Sequence, residues 1–291
     1  SVNNMGEEKK RLPVGVENFE LIINDNYYYV DKTGLISELL RNSGMVNLFT
    51  RPRRFGKTLN MSMLEHFFSI EGEQSIFDGL EISKDTKLCE EHMGKYPVIS
   101  ISLKGINAAA YEDAFDFAVQ IMQRTAEEFQ FLSDSEYLSE HDKSVYRELL
   151  DSNMSETVFC GGLKILSKLL EKHYRLKGFL LIDEYDVPLA KAFENGYYEQ
   201  MIFQDYVNVF PENYWINTSS NDAVKKFIQM SDNLKTKREI ETLLAGGEII
   251  KEIHQELIYP EMYQSLENVW SLLFMTGYLT QRGSGRVDAK P

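Results

Sequence analysis

The sequence predicts an α/β fold, a mostly parallel sheet with helices on both faces, from three observations. Short runs at 45–50, 96–103 and 178–183 have the length and the branched or aromatic content of strands. The segments between them repeat their apolar residues at helical spacing. Strand and helix alternate over this stretch, and that implies parallel pairing, because parallel neighbours need a crossover to connect them.

Composition bounds the answer further. The chain has 291 residues, 43% hydrophobic and 12% aromatic, enough for two domains or one large α/β unit with a sizeable core. A disordered chain would be poorer in aromatics. The net charge of −14, from 31 Lys+Arg against 45 Asp+Glu, argues against a whole-chain grip on nucleic acid or an anionic membrane. Any anion site must be a local basic island. Cys89 and Cys160 cannot make a disulfide framework and lack zinc spacing. No apolar run approaches the ~20 residues of a membrane span, and SVNNMGEEKKR does not read as a signal peptide. A reduced, cytoplasmic setting is expected.

Residues 1–10 read as a polar, disordered leader. Phe19–Ile23 and Tyr27–Val30 are β-prone and separated by an Asn-Asp-Asn turn. Asp31 can cap a short helix whose apolar side is Leu35, Ile36, Leu39 and Leu40, ended by Ser43-Gly44. Met45–Thr50 predicts a strand. After Gly56, Leu59, Met63, Leu64, Phe67 and Phe68 predict a helix. Residues 71–95 form a connector with a short helix at 83–92. Tyr96–Leu103 is a second strand, followed by a helix over 111–131, a loop at 134–142, and helices at 143–150 and 155–174. Gly178–Asp183 is a third strand whose continuous apolar run suits burial on both faces. Residues 190–216 show no clear period. Helices are expected at 221–230, 235–244, 249–256 and 266–273, then a closing turn and short strand near 277–280. The expected domains are a core over 11–205 and a helical region over 211–291.

The stretch from 45 to 68 carries the chemistry. Gly56, Lys57 and Thr58 fill the last three places of the phosphate-loop pattern G-x-x-x-x-G-K-[ST], between an expected strand and a helix. Gly56 permits positive φ and a close backbone approach. The N–H groups that open the helix attract phosphate. Lys57 supplies a point charge to the β/γ oxygens, and the Thr58 hydroxyl can ligate Mg²⁺. Arg51 stands where the pattern has its first glycine, followed by Pro52, Arg53 and Arg54. These guanidiniums either clamp phosphate in fork geometry or form a solvated basic turn. The expected nucleotide-binding set is Arg51, Pro52, Arg53, Arg54, Phe55, Gly56, Lys57, Thr58 and Leu59.

The second half is LLIDEYD. A strand beside the phosphate loop that ends in an acid holds Mg²⁺ in P-loop ATPases, and Asp183 fits that place. Glu184 is then placed to polarise the attacking water, with Lys57 as the other expected catalytic residue. Asp186 could stand behind them. The bland alternative is a set of acids that cap a strand and pair with Arg53 or Arg54. The five histidines show no paired metal spacing, Cys160 reads as a structural thiol, and Tyr27–Tyr29 read as packing before base stacking. Trp270 reads as core.

At these residues the sequence resembles the predicted AAA-ATPase-like proteins of bacteria. The resemblance rests on LPVGVENFE, YYYVDKT, LFTRPRRFGKTL and LLIDEYDVPL, with FPENYWINTS more loosely. It covers most of 11–190, and arginine in place of the first glycine is typical of the family. It implies a P-loop core of the AAA/ASCE kind, a three-layer parallel sheet, followed by a smaller helical, winged-helix-like domain. It implies ATP and Mg²⁺ as cofactors. Lys57 and Thr58 would hold phosphate and Mg²⁺, Asp183 would hold Mg²⁺, and Glu184 would act on water. Members often continue into a PD-(D/E)XK nuclease-like domain, but nothing after Gly277 supplies a strand with spaced acids and a lysine. Such a core also needs further strands after Asp183, and 185–215 has no apolar run for them. Either the sheet is truncated or non-contiguous segments are joined near Gln204-Asp205 and Val209-Phe210, and the joins are the expectation.

The expected function is that of an ATP-binding protein, a Mg²⁺-dependent ATPase working as a nucleotide-controlled switch coupled to a partner or effector. Two other readings stay open: a catalytically weak regulatory module, and the ATPase part of a nucleic-acid-processing system. The expected partners are the nucleotide and another protein or a second copy, without membrane or direct nucleic-acid binding by this chain.

Overall fold

The structure is a computed structural model and describes residues 10–42, 44–49, 56–203, 227, 230, 234–254, 261–262, 264–276 and 278–281. It is a mixed helix–strand fold with a small parallel sheet, and no helix among these residues is long and apolar enough to cross a membrane. Two compact units divide the chain. One comprises Ser1–Asn47, Gly56–Ser102 and Val119–Asp183; the other comprises Leu48–Phe55, Leu103–Ala118 and Glu184–Pro291.

The sheet lies in the first unit. Strand β1 (Val98–Ser102) pairs in parallel with β2 (Phe179–Asp183), from Val98 opposite Phe179 to Ser102 opposite Asp183. Both strands sit where branched and aromatic residues predict them. Gly178 lets them meet at their start: a β-carbon there would stand 2.4 Å from the Pro97 carbonyl oxygen, which accepts from Phe179 N at 2.9 Å. The apolar run of β2 is not covered on both faces. Leu181 is buried, whereas Leu180 is 42% exposed.

The segment 19–23 is a helix, α1 (Phe19–Asn24), and not the expected strand. Asn18 caps it by accepting from Leu21 N at 2.9 Å, which satisfies one of the unpaired first-turn donors. Phe19 and Ile22, one turn apart, are both buried. Tyr27–Val30 is likewise no strand: it makes a single bridge, Tyr27 to Arg11, after a turn with Asn26 at φ 54°. Helix α2 (Gly34–Asn42) follows as expected and buries Ile36.

No strand forms over the described part of 45–50. Met45 and Val46 are exposed, and the Asn47 amide donates to the Gly44 carbonyl at 2.9 Å, closing a local turn. An apolar run becomes a strand only where its backbone groups find a ladder, and residues 44–49 pair with no strand among the described residues. Helix α3 (Lys57–Phe68) buries Met63, Leu64, Phe67 and Phe68, in agreement with the spacing. An aromatic cluster of Phe19, Phe67, Phe68 and Phe77 holds α1, α3 and the 3-10 turn at Gln74–Phe77 together.

The connector ends in α4 (Thr86–His92), capped by Asp85. The crossover from β1 to β2 runs through α5 (Tyr111–Glu127), α6 (Glu140–Leu149) and α7 (Glu156–Tyr174). Helix α6 begins three residues earlier than expected, because Ser139 and Asp142 form a reciprocal capping box. Gly162 on α7 lies against Met122 on α5, where a β-carbon would stand 2.9 Å from Sδ.

In the second unit, α8 (Val187–Asn195) and α9 (Tyr198–Phe203) fill a stretch in which the sequence shows no period. Pro188 opens α8, and Gly196 at φ 81° closes it. Helix α10 (Leu234–Leu244) and α11 (Leu266–Met275) are as expected. The helix expected at 249–256 is irregular over the described 249–254. There the chain bonds sideways to α11: His254 N donates to Ser271 Oγ at 3.0 Å, and the Lys251 ammonium lies 4.9 Å from the Trp270 ring centroid. Residues 278–281 are bends without a strand. The leader, the helix expected at 221–230 apart from Phe227 and Met230, the boundary near 205–215 and both expected joins lie outside the described residues.

Candidate functional site

The start of α3 is a glycine turn with no acidic residue in its first turn. Gly56 occupies its N-cap position at φ 77° and ψ 28°, a left-handed conformation that a β-carbon penalises. No side chain caps the helix, and its first turn, Lys57-Thr58-Leu59, carries no acid. The positive end of the dipole therefore meets no carboxylate of its own helix. Lys57, Thr58 and Leu59 are each half-buried. Arg51, Pro52, Arg53, Arg54 and Phe55 lie outside the described residues.

The sheet fixes the other end of that helix. Phe68, at the last turn of α3, stacks on Phe179, the first residue of β2, with ring centroids 4.1 Å apart and planes at 22°. Tyr96 packs edge-on against both rings, at 6.0 and 4.9 Å. The end of α3 is thus pinned to the beginning of the strands. Helix α3 packs against β1 and β2. Thr58 and Asp183 are hard oxygen donors of the kind Mg²⁺ takes, in one compact unit.

Past Asp183 the backbone turns sharply. Glu184 has φ 53°, an uncommon value for a residue with a β-carbon, and Val187 N donates back to its carbonyl at 3.1 Å. Glu184 is half-buried and begins the second unit, with Asp186 fully buried two residues on. Burial, and secondarily the Asp186 charge, push the Tyr185 phenol far up, so it stays protonated.

One cation at the helix start went unread in the sequence. Among the described residues other than its chain neighbours, a β-carbon built on Gly56 would have one neighbour within 4 Å, the Lys32 Nζ at 3.8 Å. Lys32 belongs to the YYYVDKT segment and is held by backbone bonds on both sides. Its N–H donates to Tyr29 Oη at 3.2 Å, and its carbonyl accepts from Leu35 N at 3.0 Å. Tyr29 in turn donates to Met63 Sδ on α3 at 3.6 Å and packs edge-on against Phe19. Tyr29 is therefore committed to packing, and its burial raises its pKa. Spacing in the sequence could not reveal Lys32, because it reaches the loop from 24 residues upstream through tertiary contacts.

Other candidates gain nothing. Among the described residues no group of three or more His, Cys, Asp and Glu could hold a metal. Cys89 and Cys160 are not in a disulfide, and burial raises the Cys89 thiol.

Comparison with known proteins shows the family. A family model described as Predicted AAA-ATPase matches residues 13–234. A protein of Azotobacter chroococcum mcd 1, described as "Uncharacterized protein in vnfD 5'region", is 29% identical over 182 residues. The match covers 62% of this chain and 30% of that protein, so the chain spans less than a third of that relative's length. No solved structure matches the chain. With the family model spanning well over half of its length and the Gly56-Lys57-Thr58 turn inside the match, the chain belongs to the predicted AAA-ATPase family.

Proposed function

We propose that this chain binds ATP with Mg²⁺ and hydrolyses it, as a switch whose nucleotide state is passed to a protein partner or a second copy. The observation that carries the reading is the Gly56-Lys57-Thr58 turn at the start of α3, with left-handed Gly56 at the N-cap position and no acid in the first turn. On this reading the core is a P-loop core of the AAA/ASCE kind, followed by a helical, winged-helix-like region.

The residues present suit the ligand. The left-handed Gly56 leaves room beside the helix start that a β-carbon would fill, with the Lys32 ammonium nearby. The N–H groups of the first turn receive phosphate oxygens, and Lys57 neutralises them. The basic run Arg51, Arg53 and Arg54 adds guanidinium charge to the same loop. Thr58 and Asp183 would hold Mg²⁺, which when bound neutralises charge on the phosphates. Glu184 would orient and deprotonate the attacking water.

A second reading is binding without turnover, in a regulatory module. Arg51 in place of the loop's first glycine favours it, because a β-carbon and long side chain constrain how that backbone wraps phosphate. A titration of wild type and Lys57→Ala with MgATP tests the common claim, and phosphate release separates the two readings.

A further inference from the structure

The YYYVDKT segment has no part in the proposed chemistry as it stands, yet its lysine is the residue that approaches Gly56. The segment is locked by an internal network. The Asp31 carboxylate accepts from Thr33 N at 2.8 Å, from Thr33 Oγ1 at 2.7 Å and from Glu81 N at 2.7 Å. Thr33, fully buried, accepts from Ile82 N at 3.1 Å through Oγ1. Burial alone would raise the Asp31 carboxyl, but the Thr33 and Glu81 hydrogen bonds outweigh it and hold the pKa below the usual carboxylate range. Asp31 is thus already satisfied by neighbours other than Lys32. Among the described residues no carboxylate lies within ion-pair distance of Lys32, whose side chain is exposed. In a chain of net charge −14, an ammonium held this way beside a left-handed glycine and a helix start without acids is placed for an anion.

We infer that Lys32 is a second phosphate-binding cation of the nucleotide site, presented to the Gly56–Thr58 turn by the Asp31–Thr33 lock and by Tyr29. This rests on the nucleotide reading above. Lys57 enters the site from the helix and Lys32 from a separate segment packed on it, so the anion is gripped from two sides. The ligand chemistry addressed is the polyphosphate and not the base. Lys32 should therefore matter equally for adenine and guanine nucleotides and for tripolyphosphate alone.

The test is calorimetric titration of wild type, Lys32→Ala, Lys32→Arg, Lys57→Ala and Lys87→Ala with MgATP and with magnesium tripolyphosphate, alongside thermal melts. Lys87 is an exposed lysine on α4 and controls for net charge. A charge-assisted hydrogen bond lost from the site predicts a fall in affinity of about 10- to 100-fold in Lys32→Ala for both ligands. Lys32→Arg should recover most of it, and Lys87→Ala should match wild type. Wild-type affinity in Lys32→Ala, with Lys57→Ala impaired, overturns the role of Lys32 and leaves the nucleotide site standing. A melting temperature lowered in Lys32→Ala and Lys32→Arg alike, with both losing affinity equally, assigns Lys32 to structure and also overturns it. If wild type binds neither ligand, the nucleotide reading itself fails.

Discussion

Phe68 and Phe179 stack at 4.1 Å, and through that contact the last turn of α3 is fastened to the first residue of β2. Phe68 is fully buried. Phe68→Ala removes the ring and leaves a cavity beside Tyr96, and such truncations cost about 3–5 kcal/mol. Chemical denaturation should show a loss of that size. A loss under about 1 kcal/mol would mean that α3 is positioned by something else.

Gly178 tests the sheet in the opposite sense, by adding an atom. The β-carbon of Gly178→Ala would meet the Pro97 carbonyl at 2.4 Å, a backbone atom that moves only if β1 and β2 separate at their start. The expected cost is about 2–3 kcal/mol from overpacking. Retained stability would show that the strands do not meet so closely.

Asp142 gives a pH signature. Lys172 donates to it at 2.5 Å and Ser139 at 2.8 Å, and these bonds outweigh the opposing effect of burial, lowering its pKa from 3.8 to about 2. A lowered folded-state pKa contributes stability that is present above pH 3.8 and is lost as pH falls toward 2. Asp142→Ala also breaks the capping box of α6, so at pH 7 it should lose about 1 kcal/mol. Wild type and variant should converge in stability between pH 4 and pH 2. A gap that stays constant over that range contradicts the assignment.

Much of this architecture is legible in the sequence. The period of Met63, Leu64, Phe67 and Phe68 marks α3, and the branched runs mark β1 and β2, because each buries one side against a partner. Short segments fail for a physical reason. Phe19–Ile23 has strand composition, but Asn18 caps a helix there, accepting from Leu21 N at 2.9 Å, and Phe19 and Ile22 are buried one turn apart. Met45–Phe49 has the composition of a strand yet finds no ladder. Helices α8 and α9 have no apolar spacing to mark them, although Pro188 and Gly196 bound α8. At the candidate site, Gly56-Lys57-Thr58 can be read because its spacing is local. Lys32 cannot, since its place beside Gly56 is set by the fold.

In the proposed mechanism Glu184 carries the step from binding to turnover. Glu184→Gln keeps size and shape but removes the base. On the proposed mechanism phosphate release should fall by about 100-fold or more while MgATP affinity stays within a few-fold. Unchanged turnover would remove Glu184 from the mechanism, and lost binding would make it a ligand or structural residue.

The central claim is that the turn at the start of α3 holds the nucleotide phosphates. Titration of MgATP into wild type and Lys57→Ala, with equal folding confirmed by thermal melts, tests it most directly. Wild type should bind, and Lys57→Ala should bind at least about 10-fold more weakly, as expected when a charged hydrogen bond is lost. Absence of ATP affinity in wild type, or equal affinity in both proteins, would contradict the account.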